Sequence, residues 1–525
     1  MTPERYDAVV IGGGHNGLVA AAYLARAGRR TLVLERRKAL GGAAATEEFF
    51  PGYRVNVGPQ DTGFFRPEIA RELGLAAHGV SYLEAPATAL ALLPAGRSLT
   101  LWREPAKAKA EIARFSPSDA LRYPEYLDFM RRMSAQLEAI AGLVPPRLSG
   151  RLPWSELLPW IRWALGFRGL GRREMYELLR LIPMSAQEFM QEWFAREELQ
   201  GALGSLGVTG SLQGPMASGT ALMMLYAGHP ERGMRSARYV EGGTGRLIEA
   251  LAAAASAAGA EIRTGVQVRR IRVEAGGQQG VELSDGEHIS SRSVLSSADA
   301  RTTLMELVDP QELEVRTVRS LRNIRFRGST AQVHLALSGV PGFLSRPEPQ
   351  ALTGHILLCP SLEYLERAYD HAKYGKFSPS PFLDVSIPTL LDPSLAPTGQ
   401  HLLSATMQYA PYELADSDWG QQCEALGEAV VAALAEHAPN LPDLILRRQT
   451  ITPLDLELGY GLPEGDIFHG QMAIDQLLFM RPIPGYGRFR SPVEGLYFCG
   501  AGAHPGGGLS GAPGRNAARE VLKDL

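Results

Sequence analysis

Three glycines, Gly12, Gly14 and Gly17, follow the apolar run Ala8-Val9-Val10-Ile11 in a G-x-G-x-x-G array, and Glu35 stands about twenty residues further on. Each part suits the binding of a nucleotide diphosphate. Gly12 permits a tight turn, Gly14 lets backbone approach a pyrophosphate, and Gly17 lets the following helix pack closely on the strand. That helix begins beyond His15 and Asn16, and its N-terminus offers unpaired N–H groups and a positive dipole end to the phosphates. Glu35, followed by Arg36, accepts hydrogen bonds from ribose hydroxyls and disfavours a 2′-phosphate. Glycine triplets occur in many turns. The strand before this one, the helix after it and the acid beyond set it apart from a turn that binds nothing.

A second glycine turn, Gly41-Gly42-Ala43-Ala44-Ala45-Thr46, comes soon after the ribose carboxylate. It allows another close backbone approach to a long dinucleotide, which a plain nicotinamide dehydrogenase does not need. It resembles the extended signature of the flavoprotein superfamily containing amine oxidases and phytoene desaturases, which implies FAD as the cofactor. The far end of the chain supplies a third piece. Gly495 to Gly500 reads as a strand, Ala501 follows, and His504-Pro505-Gly506-Gly507-Gly508-Leu509-Ser510-Gly511 is a loop running into a helix. Gly500, Ala501, Gly507, Gly508 and Leu509 are expected at the cofactor, with the helix N-terminus stabilising charge at the N1/C2 edge of a reduced isoalloxazine. Gly242-Gly243-Thr244-Gly245 does not fit the fingerprint spacing and reads as a helix entry, so a bound NAD(P) is not supported.

Other reactive side chains each carry a second, structural reading. His504 lies in the loop that should meet the flavin, as a general acid or base or as a brace for that loop. His469 and Asp475 either line the substrate face or support a loop through an internal hydrogen bond. Cys499 is a covalent flavin tether or a small buried strand residue. Trp154, Trp160, Trp163 and Phe167, with Arg151, Arg162, Arg168, Arg172 and Arg173, make either a helical lid over the substrate or a segment lying on a membrane.

These residues need a scaffold. The first 45 residues read as a βαβ unit: a strand over 8–11, a helix over 18–27 ended by Gly28, and a strand over 31–34. The texture turns helical and Arg-rich from about 136 to 194, and the βα pattern returns near Tyr239. Strands are expected over 262–273, 280–283, 293–299, 331–337, 382–387 and 401–408, with helices over 247–260 and near 419–437. The fold class is therefore α/β: a Rossmann-like FAD-binding domain of the two-dinucleotide-motif flavoprotein type with an inserted mixed α+β substrate domain. The FAD domain takes 1–85, 235–300 and 485–525; the substrate domain takes 86–234 and 301–484, with the lid or membrane-facing segment near 150–195.

Composition narrows the alternatives. At 525 residues the chain exceeds one compact core, and a net charge of −3 gives no general attraction for nucleic acid. Three scattered cysteines, 359, 423 and 499, offer neither a C-x-x-C redox pair nor zinc spacing, so no metal is expected. Met1 to Tyr6 is polar and leads straight into a strand, leaving no room for a signal peptide, and no stretch is apolar enough to span a bilayer. A cytoplasmic protein, at most peripheral on a membrane, is the expectation.

Four stretches carry a family resemblance over essentially the whole chain: Gly14-His15-Asn16-Gly17-Leu18-Val19-Ala20; Glu35-Arg36-Arg37; Gly465 to Gly470 with Asp475-Gln476 and Arg481-Pro482; and His504 to Gly508 with Gly514 to Ala518. The chain resembles the phytoene desaturase-like FAD-dependent oxidoreductases, above all the carotenoid ketolase members and the pyridine nucleotide-disulfide oxidoreductase domain-containing protein 2 group. In related flavoproteins the strand matching Gly265-Val266-Gln267-Val268 contacts the adenine through its backbone, which places Val266 and Val268 at the cofactor. Ala501 stands where plant-type desaturases and many amine oxidases carry an acid, which argues against those branches. The resemblance implies hydride transfer to flavin N5 from a hydrophobic isoprenoid or carotenoid substrate, in desaturation or ketolation, with oxygen or a quinone as electron acceptor. A flavin oxidase of amines or other lipids, and an interaction protein with structural FAD, are the alternatives.

Overall fold

The computed structural model describes residues 5–146, 153–228, 234–274 and 276–525. The strand Tyr6–Ile11 is central to a seven-stranded sheet and runs parallel to both Thr31–Glu35 and His288–Ser296. Its buried run Ala8-Val9-Val10 explains the position, because a strand covered on both faces needs no polar alternation. Glu261–Thr264 extends one side, and Leu496–Phe498 pairs in parallel with His288–Ser296 on the other. An antiparallel meander, Val268–Glu274, Gly277–Leu283 and His288–Ser296, completes the sheet.

Three helices pack over this sheet: His15–Arg26, Thr244–Ala257 and Ala512–Val521. Small residues let them approach. A methyl on Gly514 would stand 2.1 Å from the Asn16 carbonyl oxygen. The Gly242–Gly245 turn is a helix entry, capped from another strand: Asn56 Oδ1 accepts from Thr244 N at 2.9 Å.

A second seven-stranded sheet has the order Ile445–Ile451, Thr330–Leu337, His401–Gln408, Phe382–Ser386, His355–Leu358, Ala87–Leu93, Arg97–Trp102. It is antiparallel except where His355–Leu358 runs parallel to Ala87–Leu93. Helices Pro117–Ala141, Trp154–Gly169, Gly171–Leu181, Ala186–Trp193, Glu197–Gly204 and Thr220–Ala227 belong with it, and its core joins Tyr123, Tyr126, Phe189 and Phe194. The architecture is a Rossmann-like FAD domain with a mixed substrate domain.

Two local expectations need correction. The run 262–273 is two strands, broken at Gly265 (φ +71°), and 265–267 is the bend between them, where Val266 N donates to Glu35 O at 2.9 Å. The strand expected at 293–299 ends at Ser296, and Asp299 caps the next helix through Thr302 N. No helix among the described residues is long and apolar enough to cross a membrane.

Candidate cofactor and active site

The first turn is built from backbone alone. Gly12 has φ +96°, and a methyl there would stand 2.3 Å from Ser297 Oγ. Gly17 packs behind the turn, its missing methyl 2.2 Å from the Gly12 carbonyl oxygen. Gly14 caps the helix His15–Arg26 with no side-chain hydrogen bond and no acid in the first turn, so its end N–H groups are left for an anion. Gly41 N donates to Gly13 O at 2.9 Å, and Gly14 and Gly41 form a parallel bridge, which sets the two glycine turns side by side. Glu35 is buried, and its oxygens accept from Gly13 N at 2.7 Å and Arg37 N at 2.8 Å.

A cavity of about 440 Å³ runs along these turns at the carboxyl ends of the parallel strands. Of the residues singled out from sequence, Gly12, Gly14, His15, Asn16, Glu35, Arg36, Gly41, Gly42, Ala43, Val266, Val268 and Ala501 line it. Gly17, Gly500, Gly507, Gly508 and Leu509 are not among its described lining residues. Gly17 and Gly500 serve close packing instead, Gly500 against the Ser297 carbonyl at 2.2 Å from its missing methyl. His469 also lines the cavity, but Asp475 is drawn away into an ion pair with Arg325 at 2.6 Å, so no hydrogen bond joins the two.

Sequence reasoning missed Ser297, Arg301, Thr302 and Tyr460, which also line the cavity. Arg301 lies over the Phe326 ring at 4.1 Å and pairs with Glu464. The available signal was the strand-to-helix crossing capped by Asp299, because such crossings at strand carboxyl ends bind ligands.

Four buried polar atoms of cavity-lining residues, His15 Nε2, Asn16 Oδ1, Arg37 Nη1 and His469 Nδ1, have no hydrogen-bond partner in the protein. Buried polar groups are seldom left so, and a ligand carrying donors (hydroxyl or ring N–H) as well as acceptors would satisfy them. Burial, then the charge of His469, pulls His15 down to about 4; burial also lowers His469. Both imidazoles are therefore neutral near pH 7, each offering one donor and one acceptor. The uncapped helix end, the ribose carboxylate and these groups together fit FAD.

The segment beneath His469 is held by Arg481. Its buried guanidinium donates to the carbonyls of Phe468 at 2.6 Å, Gly470 at 3.0 Å, Gln476 at 3.1 Å and Ala501 at 3.3 Å. Burial pushes the neighbouring Asp466 up to about 8.

The C-terminal loop adjoins His15, which lines the cavity, through a hydrogen bond with the Gly508 backbone. No residue of the helix Ala512–Val521 is among the described lining residues of the cavity; Gly511 lies against Phe65, Ile69 and Val19, and Ala512 N donates to Ser510 Oγ. His504 is fully buried away from the described cavity lining, its Nε2 3.2 Å from the Ile140 carbonyl and its ring against Phe479 and Phe489. Burial pulls it down to about 4, so it is neutral, and this placement suits a brace for the loop. Cys499 is buried and free, its thiol pushed up by burial. The loop itself meets apolar side chains: Met472 beside Gly506, Phe468 beside Gly507 and Phe64 beside Gly508, with the Tyr226 hydroxyl donating to Gly507 O at 2.8 Å.

The profile of the family described as flavin containing amine oxidoreductase matches residues 17–522. The chain is 38% identical to pyridine nucleotide-disulfide oxidoreductase domain-containing protein 2 of Rattus norvegicus, covering 100% of this chain and 94% of that protein. It is 31% identical to one of the subunits of limonene dehydrogenase from Castellaniella defragrans, over 99% and 95% of the two chains. An oxidoreductase from Methanosarcina mazei shares the fold, with a TM-score of 0.61 at 18% identity over 98% and 99%. FAD is the cofactor that this membership and this site have in common.

Proposed function

We propose that this chain, which belongs to the flavin-containing amine oxidoreductase family and to its phytoene desaturase-like group, oxidises a hydrophobic isoprenoid or carotenoid substrate by desaturation or ketolation. The observation that carries the reading is the apolar surrounding of the C-terminal glycine loop, where Phe64, Phe468 and Met472 meet Gly508, Gly507 and Gly506. A hydrocarbon gains by leaving water for such a wall, whereas a charged amine loses hydration there. The terpene in the name of the related limonene dehydrogenase points to the same class. When bound, FAD would supply a hydride acceptor at N5, with oxygen or a quinone as the final electron acceptor.

The chain's own residues bind, orient and keep water out. The glycine turns and Glu35 hold the nucleotide half. His15 and His469, neutral near pH 7, present hydrogen-bonding atoms without adding charge. Arg481 ties Phe468 to Ala501, so the apolar wall and the cavity floor are set by one side chain.

Anaerobic absorption spectroscopy of the purified holoprotein tests the reading, with solubilised isoprenoids, carotenoids and amines offered in turn. Bleaching of the flavin by an isoprenoid or carotenoid is expected. Bleaching by amines alone would replace the reading with amine oxidation, which the family description favours. A flavin that dithionite reduces but no donor does would leave FAD a structural role in an interaction protein.

A further inference from the structure

Six of the sixteen large apolar side chains exposed among the described residues lie between 154 and 179: Trp154 (78%), Leu158 (46%), Ile161 (37%), Leu165 (63%), Tyr176 (61%) and Leu179 (55%). The first four sit on one helix, Trp154–Gly169, at positions i, i+4, i+7 and i+11, within an arc of about 60° at 3.6 residues per turn. The opposite face is also apolar, but it is used. Trp163 stacks on Phe167, Trp160 meets Trp163 and Phe479 edge-on, and Phe479 lies 5.4 Å from the His504 ring. This helix therefore carries two apolar faces, one packed inward and one with no cover.

Cationic side chains border the uncovered face. Arg162 and Arg168 fall on either side of the stripe, and Arg172 and Arg173 open the next helix, Gly171–Leu181, whose Tyr176 and Leu179 are exposed. Arg162, Arg168 and Arg173 have no carboxylate partner among the described residues, and Arg172 lies only over the Tyr176 ring. The nearby acids are already engaged: Glu156 with Arg488, Glu174 with Arg132, and Glu177 with Arg180. An apolar stripe with free cations on both flanks is the arrangement that an in-plane helix presents to an anionic lipid surface. Arg151 lies outside the described residues.

We infer that residues 154–181 dock this protein on an anionic membrane, with Trp154, Leu158, Ile161 and Leu165 entering the acyl boundary and Arg162, Arg168, Arg172 and Arg173 at the headgroups. The packed face of the same helix then joins the bilayer side to the C-terminal glycine loop through Trp160, Phe479 and His504. Binding to lipid is read without substrate, so it stands or falls separately from the proposed reaction.

The test is co-sedimentation of the FAD-loaded protein with phosphatidylcholine vesicles, with and without phosphatidylserine. Binding is expected to the anionic vesicles, to weaken as salt rises, and to fall at least about tenfold in Trp154→Ser/Leu158→Ser/Leu165→Ser and in Arg162→Glu/Arg168→Glu/Arg173→Glu. Val315→Ser, which alters an equally exposed apolar residue elsewhere, is expected to leave binding unchanged. Flavin absorbance and thermal melts show that each variant is folded. Absence of binding by the parent protein would overturn the inference, as would variants that bind undiminished. Self-association that the serine triple variant abolishes, without vesicle binding, would assign the face to a second copy of the chain.

Discussion

Glu35 shows how one side chain prepares a site. Its carboxylate closes two backbone donors, Gly13 N and Arg37 N, and so shapes the first glycine turn while facing the cavity. Hydrogen bonds to a charged acceptor contribute about 1.5–3 kcal/mol each. Glu35→Ala is therefore expected to weaken FAD binding by at least about tenfold, read from flavin fluorescence on dilution; undiminished retention would remove Glu35 from the site. Arg481 acts at the same scale. One buried guanidinium serves the carbonyls of Phe468, Gly470, Gln476 and Ala501, and a lysine cannot reach them all with its single ammonium. Arg481→Lys should cost about 1.5–3 kcal/mol in denaturant unfolding for each carbonyl left without its charged donor.

Among the elements, helix and strand contacts depend on missing side chains. Gly17 and Gly514 let the helices His15–Arg26 and Ala512–Val521 meet the first turn and each other, with methyls that would stand 2.2 Å and 2.1 Å from backbone oxygens. Backbone cannot swing aside as a flexible side chain does. Gly514→Ala is thus expected to lower the melting temperature and the bound flavin together, although residue 514 does not line the cavity. A fall in stability with full flavin content would mean that the helix pair does not transmit to the site. The βαβ unit was legible at this scale because a buried strand, a glycine turn and a small-residue helix are local patterns. The bend at 265–267 was not, because Gly265 and Val266 are set by bonds to Arg37 and Glu35, just past and at the end of the strand Thr31–Glu35.

Across the whole molecule, a buried charge cluster joins segments far apart in sequence. His355 on the second sheet lies between Asp384 (2.7 Å) and Asp61 (3.2 Å), and Asp61 also accepts from Ser236 and from Ala237 N. Burial alone would pull His355 down, but Asp384 and Asp61 outweigh it and push the imidazole up to about 9. Burial raises Asp61 too, yet His355 and the donated hydrogen bonds hold it at about 2. A group whose folded pKa is raised stabilises fully below its unfolded value, about 6.5, and this contribution is lost as pH rises through about 9. The Asp61 share is present above about 3.8 and lost as pH falls through about 2. Melting temperatures of the parent protein and His355→Gln should therefore converge between pH 7 and 10; a constant gap would mean that His355 is not charged in the fold.

The cofactor class and the α/β framework could be read from the chain without coordinates, because both rest on short-range chemistry: glycines that a turn requires, an acid at a strand end, apolar runs of strand length. Which distant residues share the site was settled only by the folded arrangement. It brought Ser297, Arg301, Tyr460 and His469 to the fingerprint, turned His504 toward Phe479 and Phe489, and paired Asp475 with Arg325 instead of His469. Such meetings are made by packing, and packing leaves no period or spacing in the chain from which they could be read.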